Sequence, residues 1–212
     1  GSGDMAMVIL FLVYLPGIFI HEGAHWTMAK LLGLKTGKFR VWPQKKGKYI
    51  GMGSVTVNRG GTVRDSLVGM APLLAGSSLV ALIAGQVFGA DRLAGVWAQG
   101  NALDVVTSIF AALAGQQDGL VWAWAIFAIA NAMMPSASDR EPLKMLVLYL
   151  VIVGSLYILL DSSGQIFLQA AVWLTGPTRL LVSALIFTLV IDGVILAILY
   201  IVQVVVATLQ RR

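Results

Sequence analysis

The stretch His21-Glu22-Gly23-Ala24-His25, here called the HExxH stretch, directly follows an almost wholly hydrophobic run from Val8 to Ile20. On a helix, residues four positions apart lie about 40° apart around the axis, so the two imidazole rings can bind one metal ion. The glutamate between them is then placed to accept a proton from water that the ion activates. Ionisable groups that follow such an apolar run cost free energy in a membrane, so their presence indicates a function. The alternative is a pair of histidines on a helix face near the lipid headgroups.

The composition predicts an integral membrane protein. Of the 212 residues, 58% are hydrophobic and 12% are charged, and the mean hydropathy is +0.85. Soluble domains carry about 25% charged residues. Because the chain has no cysteine, a disulfide framework and a thiolate metal site are excluded, and zinc would have to be bound by histidine and carboxylate. Residues 1–4 begin Gly-Ser-Gly and are interpreted as a cloning remnant and N-terminal tail.

The basic residues are distributed asymmetrically along the chain. Nine of the fifteen lysines and arginines lie in residues 30–64, two in residues 140–144 and two at residues 211–212, and the other two are Arg92 and Arg179. If membrane crossings separate these groups, thirteen basic residues face one side and two face the other. By the positive-inside rule the richer side is cytoplasmic, and we expect a multi-pass protein with its site in the cytoplasmic leaflet of a prokaryotic plasma membrane. The distribution favours contact with the lipid bilayer over a nucleic-acid-binding patch.

The hydrophobic stretches predict an all-α polytopic membrane protein with about five to six transmembrane helices and a small membrane-associated β-hairpin or sheet after the first helix. The first helix is expected over residues 5–32, which at 1.5 Å per residue puts His21 about 24 Å from its start and below the membrane surface. Further elements are expected as crossings over residues 66–88, 119–135, 143–160 and 178–209, an interfacial or re-entrant helix within residues 89–118, and a short outer-surface segment at residues 163–176.

Residues 35–65 are polar and basic and are expected to form the hairpin or sheet at the membrane surface. Polar and apolar residues alternate in Lys38–Trp42 and in Ser54-Val55-Thr56-Val57, and glycines that favour turns lie between these two segments. The second segment could pair with an unwound stretch of a substrate, or it could be one half of a structural hairpin.

A catalytic zinc site with two histidines needs a third protein ligand. The chain has no other histidine and ten acidic residues, of which Glu22 is assigned as the base. Asp139 follows the predicted inward crossing and therefore returns to the side of the HExxH stretch. Four other acids are expected on the outer side: Asp91, Asp104, Asp118 and Asp161. We expect Asp139 to be the third ligand, with N-capping of the helix that begins near Pro142 as its alternative role. Glu141 is a less favoured candidate because it lies in a charged surface patch.

The HExxH stretch resembles the signature helix of the site-2 proteases, which are intramembrane zinc metalloproteases. The likeness continues through Ala29-Lys30-Leu31-Leu32-Gly33-Leu34-Lys35, and Gly69-Met70-Ala71-Pro72 is similar to the Gly-Pro element of the family's central helix. The order of elements also matches, with signature helix, membrane-associated sheet, proline-containing helix and aspartate-bearing helix in turn. The resemblance extends over about residues 7–142. It departs at Ala71, where the family usually has glycine, and at Ala75, where it often has asparagine.

Asn131, Pro135 and Asp139 resemble the family's second motif, in which an asparagine precedes the ligand aspartate by eight residues. The spacing of eight is the same here, but Pro135 lies four residues after the asparagine instead of three, and Arg140 follows the aspartate instead of glycine. These departures leave the three metal ligands intact.

The resemblance implies a metalloprotease core over residues 5–142 and additional transmembrane helices over residues 143–212. The implied activity is zinc-dependent hydrolysis of a peptide bond in or near a transmembrane segment of a single-pass membrane protein or peptide. The implied site residues are the metal ligands His21, His25 and Asp139 and the catalytic base Glu22.

Two elements are candidates for substrate binding. The segment Ser54–Val57 could bind the substrate backbone as a strand, and Asn131 could donate a hydrogen bond to the substrate backbone or the oxyanion. Asn131 could equally make a polar contact between helices. No regulatory domain is visible in the sequence, so control is expected from a membrane partner or from trimming of the substrate.

A membrane protein that binds or transports a metal ion with the same ligands, without hydrolysis, is the alternative. Asp192 lies centrally in the last predicted helix and Asp161 lies near a helix end, and acids within a membrane mark ion or proton pathways. Asp192 could instead be a neutral acid hydrogen-bonded to a neighbouring helix or subunit. An inactive protease that only binds partners is disfavoured because Glu22 is present.

Overall fold

Helices make up most of the chain, in agreement with the hydrophobic stretches. The computed structural model describes residues 2–46, 49–89, 102–134, 136–160 and 163–209. Within these residues the elements are α1 (Ser2–Leu31), β1 (Thr36–Arg40), β2 (Gln44–Lys46), β3 (Tyr49–Gly51), β4 (Ser54–Val57), α2 (Thr62–Phe88), α3 (Ala102–Ala114), α4 (Gly119–Ala132), α5 (Ala137–Leu160) and α6 (Gln165–Leu209). Part of the predicted interfacial helix, Pro135 of the second motif, Asp161 and the C-terminal arginines lie outside the described residues.

Helix α1 carries the HExxH stretch and ends at a glycine that turns the chain. Gly33 has a φ of 71°, its N–H donates to the carbonyl of Lys30 at 3.0 Å, and the N–H of Leu34 donates to the carbonyl of Ala29 at 2.8 Å. This pair of bonds is the Schellman motif, which satisfies the last carbonyls of a helix. Leu34 and Ala29 are buried in one cluster with Val68 of α2, so the end of α1 is fixed against α2.

The segment after α1 forms two small antiparallel strand pairs, which confirms the predicted small sheet. Strand β1 pairs with β4, with Phe39 opposite Val55 and Arg40 opposite Ser54, and β2 pairs with β3. The first strand begins and ends two residues before the predicted Lys38–Trp42.

The sheet lies beside the apolar half of α1. The rings of Phe39 and Phe19 are 6.1 Å apart, and those of Trp42 and Phe11 are 5.1 Å apart. On a helix Phe19 and Phe11 are about 12 Å apart, and three residues of extended chain reach about 10 Å. The chain after α1 therefore turns back and runs antiparallel to it. Aromatic contacts, which the alternation of polar and apolar residues does not encode, decide this position.

In the described part of the chain, four helices are long and apolar enough to cross a membrane: α1, α2, α5 and α6. Helices α3 and α4 are apolar but have only 13 and 14 residues. Fourteen helical residues extend about 21 Å, less than the hydrocarbon thickness of about 30 Å. Among the described residues, the crossing predicted over residues 119–135 is therefore shorter than a full membrane span.

Two predicted helix boundaries are wrong. Helix α5 begins at Ala137 instead of residue 143, because Ser136 caps it. The surface segment 163–176 and the last helix 178–209 are one continuous helix, α6, with Pro177 inside it. Breaking a helix in an apolar environment leaves backbone groups without partners, so a proline is tolerated within such a helix more readily than its propensity in water suggests.

Glycines allow close approaches of the helices around the HExxH stretch. A Cβ added to Gly17 of α1 would overlap the backbone of Ala128 in α4, and one added to Gly69 of α2 would lie 2.6 Å from the carbonyl oxygen of Asp139 in α5. Side chains cannot approach backbone so closely, so these contacts require glycine. They bring the end of α4 to α1 and the start of α5 to α2.

The chain divides into two compact units, each built from separate segments. The first consists of Gly1–Leu79 and Ala128–Thr178, and the second consists of Val80–Phe127 and Arg179–Arg212. The first unit contains the sheet and the HExxH stretch. In the second unit, the rings of Phe88 and Phe187 stack with their centroids 4.7 Å apart, and Phe187 is fully buried.

Candidate metal centre

His21, His25 and Asp139 lie together, and one ligand atom from each falls within 4.8 Å of the others. Nε2 of His25 lies 3.2 Å from Nε2 of His21 and 3.5 Å from Oδ1 of Asp139. Ligand atoms at about 2.0–2.1 Å from a tetrahedral zinc ion are about 3.4 Å apart, which is close to both separations. The three residues therefore form a group that could hold a metal ion.

His25 is oriented for metal binding by a backbone carbonyl. Its side chain is buried, and Nδ1 lies 2.8 Å from the carbonyl oxygen of Val68. Because a carbonyl only accepts hydrogen bonds, Nδ1 carries a proton, and in the neutral ring the lone pair is on Nε2, which faces His21 and Asp139. Histidines that bind metals usually have their second ring nitrogen held in this way.

His21 is held less firmly than His25. Its Nδ1 is buried and makes no hydrogen bond within the described part of the chain, although the backbone of Ala132 interacts electrostatically with the ring. The two imidazole planes are nearly perpendicular, at 82°, which lets both Nε2 atoms face the same point. A buried ring nitrogen without a hydrogen bond costs free energy, and the Val68 carbonyl spares His25 that cost.

Asp139 lies in the first turn of α5 and forms a capping box with Ser136. The backbone N–H and the hydroxyl of Ser136 donate to Oδ2 of Asp139 at 2.8 and 2.6 Å, and the N–H of Asp139 lies 3.4 Å from the Ser136 hydroxyl. This reciprocal pattern starts a helix. Oδ2 is thus fixed by the cap, and Oδ1 is directed at His25. The two roles considered for Asp139, helix cap and metal ligand, use different oxygens and are compatible.

Glu22 lies beside His21, His25 and Asp139 but is not part of the group that could hold a metal ion. A Cβ added to Gly53 would be 2.9 Å from Cγ and 3.0 Å from Oε1 of Glu22, so the chain before β4 passes directly against this side chain. The backbone N–H of Val55 donates a hydrogen bond to its carboxylate. Backbone from the sheet therefore positions the carboxylate.

An open cavity of about 820 Å³ is lined by His21, His25, Asp139 and Glu22. Ser54, Val55 and Val57 also line this cavity, whereas Thr56 is exposed and is not among its lining residues. Asn131 is exposed near the end of α4 and does not belong to the lining. The structure thus brings most of the predicted strand to the site and leaves Asn131 outside it.

Comparisons with models of protein families, with curated proteins and with solved structures find no match to this chain. The functional argument therefore depends on the residues of the site.

Sequence reasoning missed three groups that position the site: the carbonyl of Val68, the hydroxyl of Ser136 and the backbone of Gly53. Two of them have a signal in the sequence. Ser136 precedes Asp139 by the spacing of a capping box, and a proline four residues after Val68 leaves the carbonyl of Val68 without its helical partner. The approach of Gly53 to Glu22 joins segments distant in the chain and has no local signal.

Proposed function

We propose that this protein is an intramembrane zinc-dependent endopeptidase that hydrolyses a peptide bond in or near a transmembrane segment of a membrane protein substrate. The observation that carries the proposal is the convergence of two histidines, an aspartate and a separate glutamate on one open cavity. The HExxH stretch lies within a helix apolar enough to cross a membrane. The resemblance of the motifs and their order to the site-2 proteases supports the same function.

In this proposal His21, His25 and Asp139 hold the Zn²⁺ ion. Two imidazoles and a carboxylate are a ligand set of catalytic zinc sites, in which a fourth position stays open. When bound, the ion would polarise the scissile carbonyl and favour ionisation of the attacking water. The chain contributes the fixed directions of its donors, through the Val68 carbonyl for His25 and through Ser136 for Asp139.

Glu22 serves as the general base. Its carboxylate lines the cavity without belonging to the ligand group, so it can accept a proton from the attacking water and transfer it to the leaving amine. The hydrogen bond from Val55 and the contact with Gly53 limit the positions that the carboxylate can adopt. Such restriction keeps the base within reach of the water during the reaction.

The substrate must unwind before its peptide bond can be attacked, because helical carbonyls are engaged in hydrogen bonds. Strand β4 is suited to bind an unwound segment of the substrate. It pairs with β1 along one edge, and the backbone N–H of Val55 is directed to Glu22. Pairing of the substrate along the other edge of β4 would give the unwound backbone hydrogen-bond partners that lipid cannot supply. We assign β4 to substrate binding and give Asn131 no part in it.

The site is proposed to face the cytoplasmic leaflet, because the predicted crossings put thirteen of the fifteen basic residues on the side of the HExxH stretch. The membrane is proposed to be a prokaryotic plasma membrane. A regulatory membrane partner is proposed to control access of the substrate. A membrane protein that binds or transports the ion without hydrolysis is the competing function, and it requires the ligands but not Glu22.

Replacement of Glu22 by glutamine tests the proposal. The amide cannot accept a proton but does not alter the three ligands, so Glu22→Gln should bind zinc as wild type does. General-base assistance contributes about 10²–10⁴-fold, and cleavage should fall by that factor. The substrate is a single-pass helix with helix-weakening residues near its cytoplasmic end, reconstituted with purified protein in lipid vesicles.

Glu141→Gln is the matched control, because Glu141 also lines the cavity and is exposed. This variant should cleave at nearly the wild-type rate, and a chelator should stop wild-type cleavage until zinc is returned. Cleavage by Glu22→Gln at the wild-type rate would refute the proposed mechanism. Zinc binding without any cleavage by wild type would favour the carrier or transporter.

A further inference from the structure

Pro72 is fully buried inside α2 and changes the hydrogen bonding of that helix. In a regular α-helix the N–H of residue 72 would donate to the carbonyl of residue 68. Proline has no N–H, and its ring pushes the carbonyl four residues earlier away from the helix axis. The carbonyl of Val68 therefore has no helical partner at that position and is available to another donor.

That donor is His25 of α1. Its Nδ1 lies 2.8 Å from the Val68 oxygen in a buried hydrogen bond. With the proton on Nδ1, the lone pair of Nε2 is directed at the point that His21 and Asp139 also face. Nε2 of His25 lies 3.2 Å from Nε2 of His21 and 3.5 Å from Oδ1 of Asp139. The ring direction and the tautomer of this ligand thus both depend on one backbone carbonyl.

The same turn of α2 also locates the third ligand. Gly69 directly follows Val68, and a Cβ at Gly69 would lie 2.6 Å from the carbonyl oxygen of Asp139. Two of the three ligands are therefore placed by adjacent residues of α2, one through an acceptor and one through close contact. Because residue 72 has no N–H, it does not compete with His25 for this oxygen.

We propose that Pro72 is a positioning residue of the metal site, which acts by leaving the Val68 carbonyl to His25. The proposal depends on metal binding by His21, His25 and Asp139, and it does not depend on proteolysis. An amide N–H at residue 72 would compete with Nδ1 of His25 for the same oxygen. The imidazole would then lose the hydrogen bond that fixes its direction and its tautomer.

The test is Pro72→Ala, measured in detergent by competition for zinc with a chromogenic chelator and by thermal unfolding of the metal-free protein. Zinc affinity should fall about tenfold or more, the range found when such supporting hydrogen bonds are removed. The unfolding temperature of the metal-free protein should stay close to that of wild type, because the helical hydrogen bond gained at residue 72 offsets the one that His25 loses. A residue with a purely structural role would lower the unfolding temperature and leave zinc affinity unchanged.

Pro177→Ala is the matched control, since Pro177 also lies inside a helix but is exposed and distant in sequence from the ligands. It should leave zinc affinity unchanged. Equal zinc affinity of Pro72→Ala and wild type would overturn the role of Pro72 and leave the metal site standing. Absence of zinc binding by wild type would overturn both.

A measurement on wild type alone keeps the proposal testable if Pro72→Ala does not fold. Solid-state NMR of metal-free protein with ¹⁵N-histidine and ¹³C-valine should find the His25 proton on Nδ1, close to the Val68 carbonyl. The chain has only two histidines, which makes the assignment direct. A His25 proton on Nε2, with no contact between Nδ1 and the Val68 carbonyl, would overturn the proposal.

Discussion

Helices α2 and α5 are both long and apolar enough to span a membrane, but they contribute to the site in different ways. In the most apolar stretch of α2, 44% of the residues are buried, whereas none are buried in that of α5. The second turn of α2 supplies backbone, namely the Val68 carbonyl and the contact at Gly69. Helix α5 supplies the side chain of Asp139 from its first turn. The site therefore uses backbone groups of one helix and a side chain of the other.

The proposed location of α2 and α5 in a membrane gives this difference a physical origin. Lipid tails are as apolar as leucine side chains, so hydrophobicity alone does not hold two membrane helices together, and close contact between small residues is needed. Gly69 of α2 has the backbone of α5 against it, whereas a Cβ at Gly154 of α5 would meet nothing within 4 Å. Glycine is thus needed for a packing contact in α2, whereas in α5 the space around it is open.

The largest effect that separates the two helices is expected from Gly69→Ala. The added methyl group would lie 2.6 Å from the Asp139 carbonyl oxygen, and the backbone there cannot move without displacing the ligand. We expect the free energy of unfolding to fall by about 1–3 kcal/mol, the cost of overpacking, together with loss of most zinc binding. Thermal unfolding and zinc content of the purified variant measure the two effects.

Gly154→Ala is the control for this comparison. Its methyl group would enter open space, so zinc content should match wild type and the unfolding temperature should be equal or slightly higher. If both glycine variants retain zinc to the same extent, the contact between α2 and the start of α5 does not place Asp139.

A smaller effect is expected from Ser136→Ala, which tests whether the start of α5 directs the ligand. The change removes the hydroxyl that donates to Oδ2 of Asp139 and should weaken zinc binding about tenfold, with a loss of about 1 kcal/mol of stability. Ser136→Thr keeps the hydroxyl and should restore zinc affinity. The hydroxyl of Ser138 bonds to that of Ser136 and lies one step further from the carboxylate, so Ser138→Ala should bind zinc nearly normally. Equal affinities for all three variants would show that the cap does not orient the carboxylate.

Local sequence signals predict the parts of the fold that depend on one segment at a time. Helix α1, the pairing of Ser54–Val57 and the assignment of Asp139 follow from hydrophobic runs, alternation and the order of crossings. The capping box of Ser136 and Asp139 has a recognisable spacing, and using it would have moved the predicted start of α5 from residue 143 to residue 137.

Contacts between distant segments could not be predicted in the same way. The position of the sheet along α1 depends on the pairing of Trp42 with Phe11 and of Phe39 with Phe19, and nothing in either segment specifies its partner. The continuity of α6 through Pro177 depends on the environment of the helix and not on its propensity.

The orientation of α2 and α5 gives a prediction about membrane topology alone. Both helices are proposed to leave the cytoplasmic side at their first residues, so Asn58, before α2, and Ser163, after α5, should lie on opposite sides of the membrane. The chain has no cysteine, so Asn58→Cys and Ser163→Cys can be labelled singly on intact cells with an impermeant thiol reagent. Labelling is expected at position 163 and not at position 58. The reverse pattern would invert the proposed topology.

The zinc content of purified wild type, Asp139→Ala and Glu141→Ala tests the central claim most directly. Both acids lie near the start of α5 and line the same cavity, but only Asp139 faces His25, at 3.5 Å. We expect about one zinc ion per chain in wild type and in Glu141→Ala, and much less in Asp139→Ala, because removal of one of three protein ligands weakens a zinc site strongly. Equal zinc in wild type and Asp139→Ala, or no zinc in wild type after reconstitution with the metal, would contradict the account.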